Sequence, residues 1–278
     1  MKDLFIFISL LCISNAILSQ DNNSLPEKEL SLLLGPSFTN IKSNNLLYDK
    51  YASSKGTDWF TGGLQYCKYR NKNLGLIIGI EYSRYQNVTS YKGAFRSDEK
   101  SIDSDGYVYY KVSEANYKAT RTVHTAEVPL GIRLQAPVDD RVQFFVDLGV
   151  RLNFIASAKL EEKGTLNTKG AYPNPNYDNV FLYIENDPYY GFTNSTLSSN
   201  KDIPVKRICL SYFLSGGIKA KISDTKYLLI NPSYNSSLTD FVNKDNRTEY
   251  VNIFGEKSPY TKFTLTQFAL KVGVVFVM

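Results

Sequence analysis

The sequence predicts an all-β chain, folded as an eight-stranded antiparallel transmembrane β-barrel: an up-and-down meander with long extracellular loops. Three observations predict it. Alternation of apolar and polar residues recurs in eight segments, several longer than a soluble strand requires. The polar face of those segments mixes glycine, serine and ionisable residues of both signs. Short and long connections alternate strictly along the chain.

The eight segments run in order as follows. The first lies near Glu29–Thr39, with Leu30, Leu32, Leu34, Pro36 and Phe38 on one face. The second, near Asp58–Tyr69, carries Phe60, Leu64 and Tyr66. The third, Leu74–Tyr85, sets Leu74, Leu76, Ile78, Ile80 and Tyr82 against Gly75, Gly79, Glu81 and Ser83. The fourth ends in Val128, Leu130, Ile132 and Leu134. The fifth alternates from Val142 to Phe154 against Gln143, Asp147, Gly149, Arg151 and Asn153. The sixth sets Ile208, Leu210, Tyr212, Leu214 and Ile218 opposite Arg207, Ser211, Ser215, Gly217 and Lys219. The seventh, near Lys226–Leu238, contains Pro232. The eighth sets Thr264, Thr266, Phe268, Leu270, Val272, Val274 and Phe276 opposite Gln267, Ala269, Lys271 and Gly273.

One alternating strand fits any half-buried sheet. The composition of the polar face favours a barrel interior. A water-facing sheet would carry more lysine and glutamate and less glycine, whereas eight strands leave room only for side chains. The inward glycines Gly75, Gly79, Gly131, Gly149, Gly217 and Gly273 then relieve crowding. Glu81, Glu127, Arg133, Asp147, Arg151 and Lys271 form a candidate lumen charge network. Paired, such charges plug a small barrel; unpaired, they line a conducting path, and burial favours pairing.

The connections at Arg70–Asn73, near 136–140 and near 223–225 are tight turns. Those near 40–57, 86–120, 159–202 and 239–261 are long. Short periplasmic turns and long extracellular loops produce this alternation, and an even strand count returns the chain to its starting side. Lipid cannot satisfy backbone polar groups, so the sheet must close.

Residues 1–20 read as a cleaved secretory signal. Lys2 precedes an apolar run from Leu4 to Ile13, then Ser14, Asn15, Ala16, Ser19 and Gln20. Cys12 lacks the small preceding residue of a lipoprotein signal. The mature domain is 21–278, placed in the outer membrane, with outer-membrane lipid and the barrel assembly machinery as its general partners. Beyond the leader no run of 18 apolar residues exists, so helical membrane spans are excluded. The net charge of +5 is dispersed, with no basic block to suggest nucleic acid. The chain holds 21 Tyr and 16 Phe against one Trp, and tyrosine suits both strands and membrane interfaces.

Chemistry-bearing clusters are sparse. His124 is the single histidine, on the parity of the apolar face, away from any lumen nucleophile; this argues against a Ser-His-acid enzyme. One histidine and two mature cysteines make no zinc site, and no cofactor is implied. Cys67 and Cys209 fall on opposite walls, farther apart than the roughly 7 Å a disulfide spans, so both are expected as free thiols.

The long loops carry a candidate binding surface: Tyr107, Tyr109 and Tyr110 in one, Tyr172, Tyr177, Tyr183, Tyr189 and Tyr190 in the other. Two readings stand side by side. The tyrosines form a crown for an envelope protein or glycan, or the strands continue above the membrane and the rings pack the extensions together.

Several stretches resemble the PorT-like outer-membrane β-barrel family of Bacteroidetes. They are Glu127–Leu134, Phe145–Leu152, Ser233–Asp240 and Ala269–Phe276. Together with the segments around them they cover most of the mature chain, leaving the long loops unmatched. The resemblance implies an OmpA/OmpX-like barrel and, from the family's namesake, an accessory role in a protein-secretion apparatus. The chain departs from the family in its end, where Val277 and Met278 follow the last aromatic, Phe276.

The leading functional expectation is a non-enzymatic barrel that binds or scaffolds through its extracellular loops, or that assists a secretion or uptake complex. A small porin is the first alternative, a lipid-modifying outer-membrane enzyme the second, and a soluble periplasmic barrel the third.

Overall fold

The computed structural model describes residues 28–43, 52–139, 141–174, 180–190, 192–242 and 263–278. The leader 1–20, Tyr177 and most of the 239–261 connection lie outside these residues.

Among the described residues there are ten strands and one short 3-10 helix: β1 Lys28–Ser43, β2 Ala52–Tyr69, β3 Leu74–Ile102, β4 Val108–Pro137, β5 Val142–Pro173, β6 Phe181–Glu185, η1 Pro188–Tyr190, β7 Asn194–Asp202, β8 Ile208–Ser223, β9 Lys226–Ser237 and β10 Phe263–Val277. Every pairing among the described strands is antiparallel. The ring runs β1-β2-β3-β4-β5-β8-β9-β10 and closes through β1 on β10 from Glu29↔Val277 to Ser43↔Phe263. This is the eight-stranded barrel the alternation predicts, and each of the eight segments falls on its own ring strand.

The structure corrects the loops at 86–120 and 159–202. Both are largely strand. β3 and β4 run together out to Ile102↔Val108, and β4 and β5 out to Tyr110↔Ala171. The return from β5 is an interrupted strand: β6 pairs the tip of β5, β7 its middle, and β8 its lower part. The apolar-polar alternation fades above the membrane because the inner face there mixes Ala, Thr and Tyr and the bulge at Ala156 shifts the parity, so periodicity alone misses these extensions.

Short turns close the opposite end. Asn71 Oδ1 accepts from the Asn73 and Leu74 amides at 3.0 and 2.7 Å, and Asp139 Oδ1 accepts from the Arg141 and Val142 amides, both at 2.7 Å. Side-chain acceptors of this kind let Asn and Asp replace a backbone turn bond.

The outer wall of the lower barrel is apolar. Leu34, Phe60, Leu76 and Ile80 are each more than half exposed. On β5 the outward residues run from Phe144 to Phe154. Ten residues of strand span about 33 Å, and a tilt near 40° reduces that to roughly 25 Å along the axis, the height of a membrane-barrel belt.

Two bulges mark the top of this belt. In β2, five residues, 57–61, face the four of β3, 83–86. In β5, Ala156 is the extra residue between the Ile155↔Thr125 and Ser157↔His124 pairs. A bulge shifts the side-chain parity. Below it the odd positions of β5 point inward; above it Ala158 and Leu160 do.

Candidate functional site: a sealed lumen beneath an extracellular sheet

The lumen of the lower barrel holds two tiers of charge. In the lower tier, Arg133 forms a forked pair with Asp147 at 2.7 and 2.9 Å, reaches Glu29 at 3.3 Å and donates to Gln65 Oε1 at 3.0 Å. Its guanidinium lies 4.5 Å from the centre of the Phe145 ring. Lys219 donates to Glu29 at 2.7 Å, to Gln135 Oε1 at 2.6 Å and to Tyr69 Oη at 3.2 Å. Tyr69 in turn donates to Glu29 at 2.9 Å, and Ser215 to Asp147 at 3.2 Å.

The upper tier centres on Arg151, which binds Glu127 at 2.7 Å and Glu81 at 3.1 Å. Lys271 donates to both Glu81 oxygens, at 3.0 and 2.9 Å. Tyr85 and Thr125 donate to Glu127 at 2.8 and 3.0 Å, and Asn235 donates to Tyr85 Oη at 2.8 Å. Phe213 lies against Arg151, its ring centre 5.0 Å away. A Cβ on Gly131 or Gly149 would meet that ring at 2.9 Å, so both positions require glycine to admit it.

Each tier balances two cations against two carboxylates, and all eight charged side chains are at most 3% exposed. The six residues expected from the sequence all belong to these tiers. Two more complete them. Lys219 stands on the expected inward face of its segment, and Glu29 is the first inward position of β1. Glu29 escapes sequence reasoning because the leucine face of β1 dominates its pattern. Its signal is parity: it alternates with Leu30 and precedes Ser31 on the inward side.

Above the charges the interior becomes apolar. Tyr117, Val123, Ile155, Leu160 and Leu265 form one buried cluster with Phe241 and Val242. The last two fold in from the chain after β9. They are held by the Val205↔Val242 bridge and by the Lys206 amide, which donates to the Phe241 carbonyl at 2.8 Å. Phe241 packs edge-on against Phe263, with ring centres 5.9 Å apart. The barrel is thus corked by ion pairs below and by hydrocarbon above.

The tyrosines of the sheet above the belt divide into two groups. Tyr109 packs against Tyr172 and Phe192, with ring centres 5.4 and 5.3 Å away, and Tyr110 packs against Phe181 at 5.9 Å. Tyr190 donates to Asp105 at 2.5 Å, tying η1 to the β3–β4 turn. That bond pushes its phenol up to about 12. Lys169 binds Glu114 at 2.6 Å and Glu185 at 3.1 Å; these bonds hold its ammonium above the usual lysine range. Tyr107, Tyr183 and Tyr189 remain largely exposed. Packing of the extensions therefore accounts for Tyr109, Tyr110, Tyr172 and Tyr190, and leaves Tyr107, Tyr183 and Tyr189 on the surface.

His124 faces the outside of the barrel. Its ring stacks on Tyr82, whose hydroxyl lies 2.6 Å from Nδ1. Cys67 and Cys209 are buried free thiols in β2 and β8.

No protein-family model and no curated protein sequence matches the chain. Among solved structures, the chain is similar to Ail, the attachment invasion locus protein of Yersinia pestis, in complex with the heparin analogue sucrose octasulfate. The match has 11% identity and a TM-score of 0.36, over 90% of this chain and 99% of that one. It is also similar to Neisserial surface protein A (10% identity, 89% and 96% coverage, TM-score 0.34). A third is the outer membrane protein OprG from Pseudomonas aeruginosa (9% identity, 93% and 99% coverage, TM-score 0.36).

Proposed function

We propose that this chain is a non-conducting, non-enzymatic outer-membrane barrel that acts through its extracellular sheet, as a binding or scaffolding protein. The observation that carries this reading is the double seal of the lumen. Eight charges, each in an ion pair, occupy the cross-section, and an apolar core with Phe241 and Val242 lies above them. An ion crossing this path would have to separate buried pairs and then enter hydrocarbon, each step costing several kcal/mol.

With the interior closed, the surfaces left for recognition are outside. The β3–β4 turn, β6 and η1 carry exposed Tyr107, Tyr183 and Tyr189, large rings suited to a protein or glycan partner. The resemblance to PorT-like barrels favours an envelope complex for secretion or uptake as the setting.

Single-channel recording in planar bilayers tests the closed lumen. Insertions of the heat-modifiable folded protein are expected to leave the current flat. Regular conductance steps would support the porin alternative and overturn this reading.

A further inference from the structure

We propose that the outer wall at the top of the belt holds a specific subsite for a phosphate-bearing membrane lipid, built by Arg84 and Lys159 beside Trp59, Tyr82 and His124. This rests on the membrane-spanning reading of the barrel.

The site is assembled by the two bulges. The β2 bulge turns Trp59 outward, and the Arg84 guanidinium stacks 4.2 Å from the centre of its ring. Arg84 pairs in register with His124, and His124 with Ser157 just past the β5 bulge. Lys159, two residues on, is opposite Thr122 on the outward face. In register, Arg84 and Lys159 therefore flank His124 from the two neighbouring strands.

These cations differ from those of the lumen and of the sheet. Each lumen cation is ion-paired with a buried carboxylate, and Lys169 is clamped by two. Among the described residues, neither Arg84 nor Lys159 has a carboxylate within ion-pair distance, although Asp202 is opposite Lys159 in register. A guanidinium held flat by an indole and paired with no carboxylate is suited to a phosphate oxygen.

The surroundings choose a lipid over a free anion. Directly below the cations the wall is Ile80, Tyr82 and Phe154, which are 57, 47 and 40% exposed. A headgroup phosphate between Arg84 and Lys159 would lay its acyl chains along that wall. Tyr82, bound to His124, sits where an amphipathic ring belongs, at the boundary between chain and headgroup.

Trp59 is the only tryptophan in the chain and reports the site directly. The full mature chain would be placed in phosphatidylcholine nanodiscs after a heat-modifiability gel confirms the folded barrel. Trp59 quenching by acyl-brominated phosphatidic acid would be compared with quenching by acyl-brominated phosphatidylcholine at equal mole fraction. The phosphatidic acid is expected to quench several-fold more efficiently. Arg84→Gln and Lys159→Gln should each lower that preference about fivefold, whereas Lys118→Gln, outward on β4 above the belt, should leave it unchanged. Inorganic phosphate added to the buffer should not compete at matched ionic strength. Equal quenching by the two lipids, or an equal loss in Lys118→Gln, would overturn the subsite. Competition by inorganic phosphate would make it an anion site and overturn the lipid assignment. A protein without a gel shift would instead remove the membrane reading on which the subsite rests.

Discussion

Within one continuous strand, β5 builds two opposite kinds of barrel. Below Ala156 its inner face carries Asp147 and Arg151 and its outer face Leu148, Val150 and Phe154. Above Ala156 the inner face carries Ala158 and Leu160 and the outer face Lys159, Glu161 and Lys163. The lower region is polar inside and apolar outside; the upper region is the reverse. The difference reflects solvent. Where lipid surrounds the wall, apolar side chains belong outside, and polar ones collect in the lumen and pair. Where water surrounds it, burial of apolar side chains drives the interior as in any soluble sheet. The bulges sit at the change because they let one strand exchange its faces without a break in the chain.

Substitutions that respect or violate this inversion should differ sharply. The largest effect is expected from Arg133→Met, which leaves Asp147 and Glu29 buried without their shared cation and should destabilise by about 3–5 kcal/mol. Urea unfolding in liposomes measures it. Adding Asp147→Leu to the same chain should recover part of the loss, because an apolar replacement of a whole buried pair is often tolerated. In the upper region Leu160→Ala should cost about 2–5 kcal/mol by the same assay, and there no charge partner can compensate.

The outer faces should separate the two regions more widely than the inner faces do. Leu148→Arg, in the belt, should cost about 2–4 kcal/mol. Thr165→Arg, outward on the same strand above the bulge, should stay within about 0.5 kcal/mol. Similar losses at both positions would break the comparison, since they would place both in the same solvent.

The ring and its lower tiers were legible in the sequence because lipid imposes a strict period of two. From Val142 to Phe154 nearly every second residue declares its face, and Glu81, Glu127, Arg133, Asp147, Arg151 and Lys271 fall on the inward parity. Glu29 was hidden by the leucines beside it, and Lys219 was visible as inward but without its partner. The upper sheet was not legible as strand. Its outer face mixes Lys, Thr and Asn, its inner face mixes Ala, Thr and Tyr, and Ala156 shifts the parity midway. The division among the tyrosines is likewise a product of tertiary contacts: Tyr107 and Tyr109 are two residues apart, yet only Tyr109 meets Tyr172 and Phe192.

The smallest expected effect concerns the tip of the sheet. Tyr190 holds its proton more tightly when folded, up to about 12 against the usual 10. The Tyr190–Asp105 contact should therefore be intact below pH 10 and be lost as the pH rises toward 12. Local hydrogen exchange around η1 should accelerate over that window in the native protein and show no such step in Tyr190→Phe.

The inversion itself is tested most directly by a spin-label scan along β5, from 144 to 165, in a chain whose Cys67 and Cys209 are replaced by Ala. Oxygen-accessible labels are expected at 144, 148, 150 and 154, water-accessible labels at 159, 161, 163 and 165, and inward positions closed to both probes. Water accessibility at inward positions 147 and 151 would mean an open lumen. Water accessibility at 148 and 150 would mean a sheet in solution, and either result would contradict the sealed, inverted barrel.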